Sequence, residues 1–316
     1  MIRDRFLIVA LAFAVLYVLH VPIMAQQASI FPFMRSLTTS RAAALGGSTV
    51  ALVGDAGNVV VNPAVLATSD SSGIQATFVK HVLDINAGLL TYSTEVGDGF
   101  GAVTLGYMNY GDFQRSTADG TISGSFTASD LTLAASFAKE LDTLIAYGVT
   151  AKILHSSLTD MRSTALALDA GLLFRFPAKR TNIGISITNI GTQVSTYDGT
   201  QDRLPLDMRI GLNHRLRGLP LMINISLNHL TDDVDDIASR FSNFSIGGEF
   251  YIGKYVQARF AYDNALRNTS AVSVSTQLSG FNAGFGVRTS RVNFDYALNV
   301  LGASAVLHRV TLSSAL

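Results

Sequence analysis

The sequence contains no cysteine and no tryptophan, and only 6 of its 316 residues are proline. The lack of cysteine excludes disulfide bonds, thiolate metal sites and a lipoprotein anchor. Charged residues make up 15% of the chain, against about 25% in typical soluble domains. Because the formal net charge is zero, the sequence gives no electrostatic reason to expect nucleic acid as a partner.

Long apolar runs are also missing after residue 20, although the mean hydropathy is positive. A membrane-spanning helix would need about 20 apolar residues in succession. A shorter apolar run, Phe6 to Leu19, follows Arg3 and Arg5 and precedes Ala25. This pattern predicts a secretory signal cut after Ala25, with an uncleaved helical anchor as the alternative. Hydrophobicity without a spanning run is typical of a β-barrel, whose apolar residues occupy alternate positions.

From Gly73 onward, apolar and polar residues alternate with a period of two. In one segment, Tyr147, Val149 and Ala151 alternate with Gly148 and Thr150. Such runs predict strands with one apolar and one polar face. We count fourteen, an even number as a closed antiparallel barrel requires: 73–83, 86–95, 99–110, 126–138, 144–156, 163–176, 181–190, 206–217, 220–230, 242–253, 255–264, 280–289, 291–300 and 306–314.

The residues of the polar face favour a barrel over a soluble β-sandwich. A sandwich would expose that face to water and should be rich in Lys and Glu. Here the face is largely Gly, Ala, Ser, Thr and Asn, which suits a crowded lumen. Short turns alternate with four long polar segments, 111–125, 191–205, 231–241 and 265–279. This alternation is the outer-membrane pattern and predicts that the four long loops share the outer face.

The segment from Phe31 to Leu66 precedes the strands and is built mainly of small residues. Thr39 or Ser40 can cap a short helix whose body is alanine-rich, and Gly46-Gly47 can end it. Asn62-Pro63 marks a further turn. Its most specific residues are Ser40, Arg41, Ala42, Leu45, Gly46, Gly47, Asn62 and Pro63. The composition predicts a compact segment that fits into a confined space.

An aromatic-rich start, the run Ser40 to Gly47, Asn62-Pro63 and the strands that follow together resemble the PorV/PorQ family. The stretch from Met108 to Asp130 is closer to PorQ than to PorV. The resemblance implies an all-β fold, a single closed antiparallel transmembrane β-barrel related to the fatty-acid transporter FadL, with an N-terminal hatch plugging the lumen. It implies three parts: a signal peptide at 1–25, the hatch at 26–72 and the barrel at 73–316.

The same resemblance implies an outer-membrane component of the type IX secretion system that acts as a scaffold for cell-surface attachment. Its expected partners are outer-membrane lipid, PorU-, PorV- and PorZ-like proteins, and cargo C-terminal signals. A FadL-like transporter of hydrophobic small molecules is the alternative, and a secreted soluble adhesin is a third. Under the scaffold hypothesis, aromatic residues in or beside the long loops would bind the partners: Tyr110, Phe113, Phe126, Tyr197 and Phe241.

The sequence does not predict an enzyme, a cofactor or a metal site. The histidines are scattered without metal-ligand spacing, and no strand-Gly-Xaa-Ser-Xaa-Gly-helix pattern occurs. Charged residues on the polar faces are expected to form structural ion pairs, with a transport pathway as the alternative: Asp169, Arg175, Arg209, Arg259, Arg288 and Asp295. Arg41, in the hatch, needs a carboxylate partner because an unpaired buried charge is costly. We expect that partner to be a lumenal residue such as Asp169 or Asp295.

Overall fold

Fourteen antiparallel strands form a closed barrel in the computed structural model. The structure describes residues 30–81, 84–117, 119, 121–232, 237–270, 278–302 and 305–316, so the predicted signal peptide lies outside the described residues. Each strand pairs with its neighbours in sequence, and β1 pairs with β14 to close the barrel. The strands are β1 Gly73–Lys80, β2 Asn86–Val96, β3 Gly99–Ser116, β4 Ile122–Glu140, β5 Ile145–Leu158, β6 Met161–Phe176, β7 Thr181–Ser195, β8 Asp207–Arg215, β9 Leu221–Leu227, β10 Phe244–Ile252, β11 Val256–Asp263, β12 Phe281–Arg288, β13 Val292–Gly302 and β14 Ala305–Ala315.

All fourteen predicted strands are confirmed, but two predicted loops are wrong in part. β3 and β4 extend across most of 111–125, and β7 extends to Ser195. The β3–β4 register shifts between Asn109 and Asp112, so a bulge lets the ladder continue past Gly111. The other two predicted loops contain short helices, which we name α2 (Ile237–Phe241) and α3 (Asn264–Ser270).

The outward face of the barrel is apolar and the inward face is small or polar. On β5, Tyr147, Val149 and Ile153 are 36%, 51% and 52% exposed, whereas Ala146 and Thr150 are buried. The same alternation holds on the other strands, so apolar side chains cover the outside of the wall. An apolar surface of this extent is not tolerated in water and requires lipid. Among the described residues, no helix has the length and apolar character to cross a membrane.

The two ends of the barrel differ in the length of their connections. Short turns join β2 to β3, β4 to β5, β6 to β7, β8 to β9, β10 to β11 and β12 to β13. The longer connections, after β7, β9 and β11, all lie at the opposite end, together with the β3–β4 hairpin, as predicted. In outer-membrane barrels the long loops face the cell exterior. We therefore name the long-loop end the outer mouth and the short-turn end the inner mouth.

Residues 30–72 lie inside the barrel and are mostly buried. We keep the name hatch for them. The hatch contains the helix α1 (Ser40–Ala44) and 3-10 helices at Pro32–Arg35, Ala56–Val60 and Pro63–Thr68; a further 3-10 helix, Pro177–Lys179, lies in the β6–β7 turn. α1 packs against β11 to β14, and the last hatch 3-10 helix packs against β3 to β6. The hatch thus spans the lumen and supplies 16 of the 35 buried apolar residues in the described part of the chain.

Candidate functional site: the hatch and the lumen

The helix α1 begins after the predicted capping residue Thr39 and ends before the glycine pair Gly46-Gly47. The Thr39 side chain accepts a hydrogen bond from the Ala42 backbone N–H at 3.2 Å, which caps the helix. Gly46 and Gly47 have φ angles of 62° and 72°, and the Gly47 N–H donates to the Ala42 carbonyl at 3.0 Å. Glycine adopts positive φ without strain, so the pair ends the helix. The short helix presents Arg41 to the wall of the lumen.

Arg41 forms a bidentate ion pair with Glu249 on β10. Arg41 Nε donates to Glu249 Oε2 and Arg41 Nη2 donates to Glu249 Oε1, both at 2.9 Å. The prediction of Asp169 or Asp295 as the direct partner is therefore wrong. Asp169 is on β6 and pairs with Lys152 instead, whereas α1 packs on the β11–β14 side, next to β10. The alternation of β10 places Glu249 on the inward face, so the sequence does carry an indication that we missed.

The Arg41–Glu249 pair belongs to a chain of buried charges. Arg259 Nε donates to Glu249 Oε2 at 2.7 Å, and Arg259 Nη1 donates to Asp295 Oδ1 at 2.6 Å. Arg288 then binds both oxygens of Asp295 at 2.6 and 2.9 Å. Asp295 is thus connected to Arg41 through two intervening residues. The chain ends at the inner mouth, where Arg288 lines a polar cleft of about 230 Å³.

Asp169, Arg175 and Arg209, which the sequence also predicts to pair, form ion pairs within the wall. Lys152 Nζ lies 2.7 Å from Asp169 Oδ2, and Arg209 Nη2 lies 2.6 Å from Asp207 Oδ2. Arg175 Nη2 lies 2.6 Å from Glu140 Oε1. Pairing of this kind stabilises ionised groups that the lumen withdraws from water.

Polar side chains of the wall also hold the hatch backbone. The Asn299 side chain donates to the Ala43 carbonyl at 2.8 Å, and the Ser40 N–H donates to the Thr311 hydroxyl at 2.9 Å. Just before the 3-10 helix Pro63–Thr68, the Asn62 side chain donates to the Leu172 carbonyl at 3.2 Å and accepts from the Ala64 N–H at 3.0 Å. These bonds satisfy backbone groups that have no water to pair with.

Glycines in the wall mark where the hatch backbone approaches most closely. A Cβ on Gly148 would lie 2.4 Å from the Pro63 carbonyl carbon, and one on Gly184 would lie 2.2 Å from the Val50 carbonyl oxygen. Both distances are far below van der Waals contact, so a side chain at either position would displace the hatch. The wall sequence is therefore fitted to the hatch in its inserted position.

The outer end of the hatch is apolar and has its own ion pair. Phe31, Phe33 and Leu37 form a buried cluster with wall residues that include Met108 and Leu154. Beside this cluster, Arg35 Nη1 and Nη2 donate to the two carboxylate oxygens of Asp232 at 3.0 and 2.5 Å. Burial opposes the charge of Arg35, but the bond to Asp232 outweighs it and raises the pKa of Arg35. The hatch is held at both ends by an arginine.

A small cavity separates the hatch from the wall below this cluster. Its volume is about 40 Å³. The hatch contributes apolar side chains to it, and the wall contributes mainly hydroxyls: Met34, Leu37, Val59 and Val60, facing Thr104, Thr132, Ala134, Ser136, Thr150, Lys152 and Asp169. The volume is large enough for a water molecule but well below the ~150 Å³ of a cavity that binds benzene. The lumen is closed in this conformation.

No family model and no curated protein matches this sequence. Solved structures do match. The CymD monoaromatic hydrocarbon channel aligns over 88% of this chain and 97% of its own, with a TM-score of 0.57 and 11% identity. The Pseudomonas putida toluene transporter TodX aligns over 87% and 96%, with a TM-score of 0.55 and 12% identity. The chain is an outer-membrane β-barrel. The similarity shows this FadL-like fold and does not show membership of the PorV/PorQ family.

The barrel places the five candidate partner-binding aromatics in different settings at the outer mouth. Phe113 and Phe126 stack across the β3–β4 hairpin, with ring centroids 5.2 Å apart. Phe241 is 54% exposed at the end of α2. Tyr110 donates to Asp130 at 2.6 Å, and Tyr197 donates to Ser156, so both hydroxyls are used within the barrel. A role for these residues in partner binding stays a prediction.

Proposed function

We propose that this barrel is a FadL-like channel for small apolar molecules, with the hatch as its gate. The observation that carries the proposal is a line of apolar hatch side chains. It begins with Phe31 and Phe33 at the outer mouth and continues through Met34 and Leu37 to the lumenal cavity. Phe31, Phe33 and Leu37 are buried in this conformation, so an apolar molecule entering at the outer mouth would contact this line of side chains once the hatch moves. The fold shared with two hydrocarbon channels supports the proposal.

Transport requires the hatch to move, because the cavity of about 40 Å³ cannot hold a molecule of the size of benzene. Glu249 on β10 and Asp232 in the β9–β10 connection hold the hatch. We infer that the structure represents the closed state and that a solute shifts the equilibrium by binding the open state better.

A reversible cross-link tests the gate. Ala44 on α1 packs against Ala297 on β13, and the chain has no native cysteine. Ala44→Cys with Ala297→Cys therefore introduces the only two thiols, and electrophoretic mobility before and after reduction reports the disulfide. We expect toluene uptake by proteoliposomes to be lost in the oxidised pair and restored by reduction. Each single cysteine variant is the control. Unchanged uptake with the disulfide formed would show that the hatch is not the gate.

The second candidate function is a scaffold of the type IX secretion attachment complex, as the PorV/PorQ resemblance implies. A specific feature favours it. Beyond Asn109, β3 has no partner in β2, and before Ala128, β4 has no partner in β5. The tip of the β3–β4 hairpin therefore projects as a two-stranded ribbon that carries the stacked Phe113 and Phe126. Exposed aromatic pairs on a projecting hairpin suit binding to PorU-, PorV- or PorZ-like proteins or to cargo signals.

The two candidates predict opposite results for one variant. Phe113→Ser with Phe126→Ser should release surface partners in a co-purification from the outer-membrane fraction if the barrel is a scaffold. A truncated aromatic anchor commonly costs about 2 kcal/mol or more, which lowers affinity at least 30-fold. Leu278→Ser, which removes a 64% exposed apolar side chain in the β11–β12 connection and is not one of the five candidates, is the control for general loop damage. Retention of all partners with a loss of toluene uptake in the cross-linked hatch variant would favour the channel alone.

A further inference from the structure

The rim of the inner mouth carries an arc of positive charge. Four neighbouring turns, from β6–β7 to β12–β13, contribute exposed cations: Lys179, Arg180, Arg215, Arg217, Lys254 and Arg291. We name these six residues the basic arc. The described segments 175–182, 213–222, 252–256 and 288–293, which contain the arc, hold no Asp or Glu. The arc therefore has no counter-charge within its own turns.

The remaining rim has a different charge. The β2–β3 and β4–β5 turns carry carboxylates on exposed or partly exposed side chains: Glu95, Asp98, Glu140 and Asp142. Lys139 there forms an ion pair with Asp98, and Arg175 forms one with Glu140. The arc is thus a local feature of one side of the inner mouth, in a chain whose net charge is zero.

The guanidinium groups of Arg215 and Arg217 are held in place by the barrel. Arg217 Nη2 donates to the Ala178 carbonyl at 3.1 Å, and the Arg215 N–H donates to the Arg180 carbonyl at 3.0 Å. These bonds connect the β6–β7 and β8–β9 turns. The Arg215 guanidinium lies 4.6 Å from the centroid of the Tyr251 ring, a cation–π distance. Fixed cations lose little conformational freedom when an anion binds.

Apolar groups adjoin the cations and continue into the lipid-facing wall. A cleft of about 640 Å³ is lined by Arg180, Arg215, Leu216, Gly218, Leu219 and Pro220. Leu219 is 56% exposed, and Ile252 and Tyr255, on either side of Lys254, are 57% and 55% exposed. Exposed apolar and cationic groups in the same turns place the arc at the border between hydrocarbon and headgroups.

We propose that the basic arc binds the phosphate groups of anionic phospholipids in the leaflet at the inner mouth, with the cleft between Arg180 and Arg215 as its main site. Guanidinium groups match phosphate oxygens in a bidentate geometry. Leu216, Leu219 and Pro220 would contact the glycerol and the upper acyl chain. A lipid is favoured over an acidic protein because the neighbouring apolar side chains already require hydrocarbon contact at this level of the wall.

The test compares lipid retention by native mass spectrometry after release from nanodiscs of phosphatidylglycerol and phosphatidylcholine in equal amounts. The variant is Arg180→Gln, Arg217→Gln and Lys254→Gln together. Its matched control removes three exposed cations near the outer mouth, by Arg115→Gln, Arg162→Gln and Arg203→Gln. Each cation near an anionic lipid surface contributes about fivefold in binding, so we expect preference for phosphatidylglycerol to fall on the order of 100-fold in the variant alone.

A salt titration of the wild-type barrel supplies a measurement that does not depend on how well the variant folds. Preference for phosphatidylglycerol should weaken as salt is raised, because added ions screen the exposed cations. Equal retention of both lipids by the wild type would overturn the proposal, as would an equal loss in the control set. If the wild type shows no lipid preference but retains an acidic periplasmic protein through the arc, the surface is a protein-docking site and the proposal is wrong.

Discussion

Replacing Arg41 by Met should detach α1 from the wall without unfolding the barrel. The substitution removes two hydrogen bonds of 2.9 Å to Glu249 and leaves that carboxylate, whose side chain is 1% exposed, with Arg259 as its ion-pair partner. Breaking a buried ion pair from one side costs about 3–5 kcal/mol. Because Arg259 remains 2.7 Å from Glu249, we expect a loss at the lower end of this range, about 3 kcal/mol of the free energy of unfolding.

Glu249→Gln tests the same contact from the other side. This substitution removes the negative charge that pairs with both Arg41 and Arg259. It should therefore lower the free energy of unfolding by more than Arg41→Met does. The double variant should cost less than the sum of the two single variants by at least ~1 kcal/mol, since both act on one contact. If the losses of unfolding free energy in the two single variants add up to the loss in the double variant, the contact between Arg41 and Glu249 does not contribute to stability.

Two measurements separate hatch release from a general loss of stability. Because the chain has no tryptophan, urea unfolding is followed by far-UV circular dichroism in detergent micelles. Hydrogen exchange of the α1 amides reports the hatch itself. Arg209→Met is the matched control: its side chain is 11% exposed, as that of Arg41 is, but Arg209 and its partner Asp207 both lie on β8, so the variant removes no bond to α1. Unchanged unfolding and unchanged α1 exchange in Arg41→Met would refute the inference that the Arg41–Glu249 ion pair holds the hatch against the wall.

Three further predictions follow from the same contacts. Gly148→Ala should cost about 1–3 kcal/mol of unfolding free energy, because its Cβ meets the hatch at 2.4 Å, whereas Gly88→Ala, with its nearest neighbour at 3.8 Å, should cost far less. Arg35→Gln should speed hydrogen exchange at the outer end of the hatch and leave α1 protected, since it removes the bond to Asp232. Equally faster exchange at α1 would contradict the inference that the Arg35 and Arg41 ion pairs hold the hatch independently. Thr39→Ala should cost about 1 kcal/mol in the same urea assay through loss of the helix cap, and Thr39→Ser, which keeps the hydroxyl, should restore most of it.

The strands could be predicted from sequence because each one depends on the alternation of apolar and polar residues within its own segment. The alternation around Val149 gives both the strand and the face that meets lipid, and it needs no knowledge of distant residues. The α1 boundaries are local for the same reason, since Thr39 and Gly46 act on their own turn. Loop lengths were less predictable. β3 and β4 pair through most of 111–125 because a bulge at Asn109 restores the register, and a bulge leaves no clear pattern in sequence.

The ion-pair partner of Arg41 could not be predicted from patterns of neighbouring residues. Charge and burial require a carboxylate, and several inward positions offer one. Which one lies within reach depends on the side of the lumen against which α1 packs, and that choice is set by the fit of the whole hatch to glycines such as Gly148 and Gly184.

The sequence by itself determined a closed barrel of fourteen strands, an apolar exterior and a capped helix within an N-terminal segment of small residues. These features depend on residues that are neighbours along the chain. Only the tertiary structure decided that Glu249 holds Arg41, that Asp232 holds Arg35 and that the inner mouth carries an uncompensated basic arc. Those features join residues that are far apart in sequence, and the closing of the barrel around the hatch fixes which of them meet.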